Sequence, residues 1–176
     1  MIELRTYHSV EQLKNGMDVT VRAVRQDDKD RFIDAFRNLE RESVYTRFFG
    51  FKNELTKEDL KTITEVDFEN VVALVVTKTE GQDETIIGSG RYIAGDAPGG
   101  KRNAEVAFTV VEGYHGLGIA SRILRRLIAI ARDKGIAMFE ADVLPENKAM
   151  LAVFGRSGLA MSQSREDGIV HVTLEL

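Results

Sequence analysis

The chain has no cysteine. That excludes a disulfide framework, a thiolate metal site and a cysteine nucleophile. It suits a reducing compartment, so a cytoplasmic location is the expectation. Long apolar runs are also missing. VVALVV, residues 71–76, falls far short of the roughly 20 residues a bilayer-spanning helix needs. The N-terminal MIELRTYHSV lacks the basic-then-apolar order of a secretory leader. Basic charge is not in excess: the formal net charge is −4, the wrong sign for a general nucleic-acid binder. The three histidines, His8, His115 and His171, stand far apart with no metal-ligand spacing, so no metal is expected. There is no internal repeat, low-complexity tract or Pro-, Gly- or Ser-rich linker. The 176 residues, 43 % of them hydrophobic, are therefore expected to form one domain over 1–176 with a single core.

What is present is a patterned α/β chain. VTVRAV (19–24) alternates and is β-branched, the mark of a strand. In DDKDRFIDAFRNLE, Phe32, Ala35, Phe36 and Leu39 share one helical face, and Asp27 or Asp28 can cap it. ESVYTRFFGF (42–51) is assigned a short helix leading into a loop. TKEDLKTIT (56–64) opens with a threonine and an acidic residue three later, the pattern of a capping box. VVALVVTK (71–78) and TIIGSGRYI (85–93) flank a polar turn and read as an antiparallel hairpin. After the loop 96–103 comes the strand AEVAFTVV (104–111), then a helix over 117–134 with Ile119, Ile123, Leu127 and Ile130 in one stripe. A strand (137–144), a short helix (146–158) and two closing strands joined by REDG complete the order. The whole predicts a mixed sheet with a strand–helix–strand unit at its centre.

One stretch stands out. In HGLGIAS (115–121), Gly116 and Gly118 sit where a strand stops and a helix starts. A helix N-terminus offers unpaired N–H groups and partial positive charge. Glycine lets an anion approach them without meeting a Cβ. Gly116, Gly118 and Ala120 would expose backbone there, and Ser121 could add a hydroxyl. The alternative is that the glycines only make a tight turn. The stretch is not a Rossmann fingerprint, because Ser121 stands where the last glycine would be, and no Gly-Lys-Ser/Thr follows to make a Walker A loop.

The surroundings bear on this choice. His115-Gly116-Leu117-Gly118-Ile119-Ala120 resembles the Q/R-x-x-G-x-G/A signature of the GCN5-related N-acetyltransferase (GNAT) family, with His115 at the usual Gln or Arg place. LPENKAMLAVFGRSGL (144–159) resembles the family's segment after the fifth strand, with Asn147, Phe154 and Gly158-Leu159 in the matching places. SVYTRFFG, AEVAFTVV and LPENKAML further resemble the acetyltransferase domain of bacterial Pat-type protein lysine acetyltransferases. The acyl-CoA-synthetase-like region often fused to that domain has no counterpart in this sequence.

The resemblance implies a GNAT fold: a mixed central sheet with splayed parallel strands, flanked by helices. It implies acetyl-CoA as cofactor, with CoA as product. The pyrophosphate would sit on the amides of Gly116, Leu117, Gly118, Ile119, Ala120 and Ser121, with His115 as a helix cap or phosphate neighbour rather than a catalytic base. The pantetheine arm would pair with the strand around Phe108 and Val110, and an N–H near Val110 would stabilise the oxyanion. Asn147 would hydrogen-bond the cofactor, cap its helix, or both. Phe154 stands where many relatives carry a tyrosine that protonates the leaving thiolate. It has no hydroxyl, so it would pack against the pantetheine instead.

A lysine acceptor arrives protonated, with a pKa near 10.4, and needs a base. Glu105, the only carboxylate in AEVAFTVV, takes that role by the family match. By strand position alone it could equally be a surface residue or half of a salt bridge. Glu140 and Asp142 share one face of the next strand; Asp142 could shape the acceptor site or substitute as base, or both simply face solvent. Tyr45, Arg47, Phe48 and Phe49 would border the acceptor or pack in the core. The implied acceptor is a protein lysine. The alternatives are a small amine (a polyamine, amino acid or aminoglycoside) or, without turnover, an acyl-CoA-binding sensor. The chain would act as a monomer or homodimer.

Overall fold

The computed structural model describes residues 4–37, 55–96 and 101–176. The aromatic segment with Tyr45, Arg47, Phe48 and Phe49 lies outside them, as does the middle of the loop 96–103. In chain order the elements are β1 (His8–Gln12), β2 (Asp18–Ala23), a 3₁₀ turn (Gln26–Asp28), α1 (Lys29–Arg37), α2 (Lys57–Thr64), β3 (Val71–Glu80) and β4 (Asp83–Asp96). Then follow β5 (Arg102–Val110), α3 (Ile119–Asp133), β6 (Ile136–Val143), α4 (Lys148–Gly155), β7 (Met161–Glu166) and β8 (Ile169–Glu175). The strands form one sheet in the order β1-β2-β3-β4-β5-β6-β8-β7. Only β5 and β6 run parallel; the other neighbours are antiparallel.

Local chemistry accounts for most of the boundaries. Thr56 caps α2 by accepting from the Asp59 N–H at 3.1 Å, and Asp59 accepts from the Thr56 N–H at 3.0 Å, the reciprocal pair its sequence suggests. Asp28 accepts from the Arg25 N–H at 2.8 Å before α1. It is fully buried and takes two more bonds from Arg22, at 2.9 and 2.7 Å, and one from Arg31 at 3.0 Å. α3 starts at Ile119 rather than 117 because Gly116 and Gly118 have φ of +78° and +89°, outside the helical region. α4 starts after its cap Asn147, which accepts from the Met150 N–H at 3.1 Å. In REDG, Asp167 and Gly168 both have positive φ, as a tight two-residue hairpin turn requires.

β1 is an addition to the sequence-based order, which begins at β2. HSVEQ has little apolar alternation. The edge strand is held by α3 instead: Arg126 donates to Glu11 at 2.6 Å and to Ser9 at 3.3 Å, and also bonds the Tyr7 hydroxyl.

α3 lies on the face of the sheet opposite Ser89 and Thr109, and its stripe is fully buried. It comes close because β4 has glycines beneath it. A Cβ on Gly88 would stand 2.6 Å from Ile119 Cγ2, and one on Gly90 2.5 Å from Ile123 Cγ2. α1 and α2 cover the other face of the sheet, where Phe32, Phe36 and Ile63 meet Ile86, Ser89 and Thr109.

Candidate functional site

The parallel pairing of β5 with β6 ends at Glu105 opposite Glu140. Beyond that point β5 continues to Val110, bonded only to β4. Val111 donates its N–H to the Ile87 carbonyl at 2.9 Å. Main-chain groups alternate sides along a strand. Those of Val106, Phe108 and Val110 therefore point into the gap between the two strands, where an extended ligand could take up their hydrogen bonds.

The gap opens onto the loop that starts α3. Gly118 is left-handed at the N-cap, and no side chain caps the helix. Its first N–H groups are thus free for an anion. The cleft there encloses about 310 Å³. Phe108, Val110, His115, Gly116, Gly118, Ile119, Ala120, Ser121 and Asn147 line it. Leu117 and Phe154 are not among its lining residues. The Leu117 carbonyl accepts from the Lys14 N–H at 3.3 Å. Phe154 is buried and meets Phe108 edge-on, ring centroids 6.0 Å apart. It packs under the wall of the cleft rather than facing it.

Phe154 does line the adjoining cleft, between β5 and β6, together with Glu105, Phe108, Asp142 and Asn147. Asn147 thus stands at the junction of the two clefts. Its side-chain oxygen caps α4, which leaves its amide nitrogen as a donor. Glu105 is exposed, on the face opposite α3. Directly across from it are Ile93 on β4 and Glu140 on β6. Asp142, on the same face of β6 as Glu140, is hydrogen-bonded to His171 Nδ1 on β8 at 2.7 Å, and His171 Nε2 lies 3.7 Å from Glu140. The bond to Asp142 raises the His171 pKa above its usual value, against a smaller opposing effect of burial. Arg91, beside Ile93 on that face, has a buried Nη1 without a hydrogen-bond partner. Burial lowers its pKa from the usual guanidinium value, while the Glu105 charge works the other way.

Sequence patterns did not single out Lys14, Thr109, Tyr114, Met150 or Arg156, which also line the larger cleft. Nor did they join His171 to Asp142. These residues reach the site from separate elements through sheet register and chain reversal, and no local motif carries that information. Among the described residues no cluster of metal-ligating side chains occurs, and no helix is long and apolar enough to cross a membrane.

Comparison with known proteins is consistent with this geometry. The acetyltransferase (GNAT) domain family matches residues 18–160. Acetyltransferase PA5475 of Pseudomonas aeruginosa is 29% identical over 143 residues, 81% of this chain and 75% of that protein. Acetyltransferase Pat of Mycolicibacterium smegmatis is 31% identical over 166 residues, which are 94% of this chain but 48% of Pat. This chain thus spans about half of Pat's length. The crystal structure of the GNAT domain of S. lividans PAT superimposes with a TM-score of 0.84 at 34% identity, covering 96% of this chain and 97% of that one.

Proposed function

The chain belongs to the GNAT acetyltransferase family, and on that premise we propose that it transfers the acetyl group of acetyl-CoA to a lysine Nε-amine of a protein, with Glu105 as general base. The observation that carries this reading is the parting of β5 and β6. It puts Glu105 at the head of a gap that runs to the glycine loop. The similarity to Pat and to the S. lividans PAT domain favours a protein lysine as acceptor.

Acetyl-CoA supplies an activated acetyl group as a thioester. The site suits it: left-handed glycines leave the loop amides uncovered, and Phe108 and Val110 offer main-chain groups to an extended arm. The Val110 N–H points into the gap, where it would hold the thioester carbonyl oxygen and stabilise the charge that develops on it. Glu105 takes a proton from the acceptor ammonium, directly or through a water, so that the amine can attack. Phe154 has no hydroxyl, and its burial against Phe108 makes it a packing residue. CoA would then leave as the thiolate, or take its proton from a water or another group.

The first test is release of free CoA from acetyl-CoA. The panel would pair an acyl-CoA synthetase bearing its active-site lysine with a set of small amines. Release with the protein acceptor supports the reading. Release with small amines alone moves the activity to metabolites. Tight CoA binding without any release indicates a sensor. Glu105→Gln should leave acetyl-CoA affinity nearly unchanged and lower turnover by roughly 10²-fold or more. Unchanged turnover would remove Glu105 from the mechanism.

A further inference from the structure

The matched family segment begins at residue 18, so the turn between β1 and β2 lies outside it. That turn reaches the site all the same. Leu13 donates to the Met17 carbonyl at 2.8 Å, and Met17 donates to the Asn15 side chain at 3.0 Å, which closes the turn. Two arginines of α3 fix it to the helix that opens the cleft. Arg122 donates to the Gln12 carbonyl at 2.8 Å and stands 3.6 Å from Glu11, which Arg126 also holds. The Lys14 N–H completes the attachment at the Leu117 carbonyl.

The Lys14 side chain then lies across the loop. Its Cε would be 3.4 Å from a Cβ on Gly118, and it lines the larger cleft. No carboxylate pairs with it among the described residues, whereas Arg122 and Arg126 both have Glu11. An exposed lysine without a carboxylate partner therefore borders the cleft beside Gly118, at the start of α3. Arg156, from the end of α4, borders the same cleft and likewise has no carboxylate partner among the described residues.

We propose that the β1–β2 turn is part of the donor site, and that Lys14 makes the protein select thioesters of CoA over thioesters that lack its diphosphate. The inference rests on the acetyl-CoA reading above. The loop amides supply hydrogen bonds but only a partial charge. Lys14 supplies a full one at the same place, screened by salt because it is exposed. A pantetheine thioester without phosphates would occupy the strand-side gap alone and not meet it.

Calorimetric titration of CoA and of S-acetylpantetheine into the wild type, Lys14→Met and Lys14→Arg tests this. Lys14→Met should weaken CoA about tenfold, the loss of one solvent-exposed charge-assisted contact. S-acetylpantetheine should stay within about twofold, and Lys14→Arg should recover most of the CoA affinity. The salt dependence of CoA binding should flatten in Lys14→Met. The variant should fold, because the turn is attached through the Lys14 main chain. CoA affinity unchanged in Lys14→Met overturns the proposal. So does an equal loss for both ligands, which would mark a structural role. A wild type that binds no CoA overturns the acetyl-CoA reading and this inference together.

Discussion

Replacing Gly90 by alanine tests the packing that forms the cleft wall. The new Cβ would stand 2.5 Å from Ile123 Cγ2 and 2.7 Å from Phe108 Cδ1. Ordinary contacts lie near 3.5 Å or beyond, so both neighbours must retreat by about an ångström. Neither can do so cheaply. Ile123 is fully buried, and its β-branched side chain has little rotamer freedom in a helix. Phe108 is buried and packed edge-on against Phe154. Overpacking of this kind costs about 1–3 kcal/mol, and two simultaneous overlaps argue for the upper end. The backbone gain from replacing a strand glycine returns only about 0.5 kcal/mol. A net loss of about 2 kcal/mol should lower Tm by roughly 4–8 °C at this chain length. Urea unfolding measures the loss as a fall in midpoint at constant slope. Phe108 lines the donor cleft, so KM for acetyl-CoA should rise in the folded variant. Ile123→Ala in the same chain removes one overlap, and the pair should be less destabilised than the sum of the singles by about 1 kcal/mol. Stability within about 0.5 kcal/mol of wild type would refute the close-approach argument. So would a strictly additive cycle.

Gly118→Val should fold but lose most of its CoA affinity. Valine is strained at φ +89°, by roughly 1–2 kcal/mol, and its side chain would displace Arg122 and cover the loop amides. Normal affinity in the folded variant would refute the loop assignment. Asp28→Asn should cost about 1–3 kcal/mol in chemical unfolding, because Arg22 would lose the charge of Asp28 and keep only Glu84 as its carboxylate partner. The same residue sets an acid limit. Burial opposes the Asp28 charge, but the bonds from Arg22 and the Arg25 N–H outweigh it and hold the pKa below the usual value. Its contribution is therefore complete above the unfolded pKa of about 3.9 and is lost as pH falls through the folded value. Asp28→Asn should flatten that acid slope, and an unchanged slope would assign the limit to other groups.

The legible parts of this protein are those whose physics is local. The capping pair Thr56 and Asp59, the α3 stripe, the β3–β4 hairpin and the glycine loop each depend on residues close in sequence. β1 was not legible, because Glu11 finds its partner Arg126 across 115 positions and no alternation marks the strand. The same reason hid His171, which register alone sets against Asp142. The edge-on contact of Phe154 with Phe108 joins α4 to β5, which lie far apart in sequence, and no local motif announces it. The β1–β2 turn joins these two kinds of information. The glycines of the loop at 116–121 are visible in sequence, since a left-handed turn before a helix needs only backbone freedom. The place of Lys14 beside that loop depends instead on a turn that Arg122 and Arg126 hold against the start of α3.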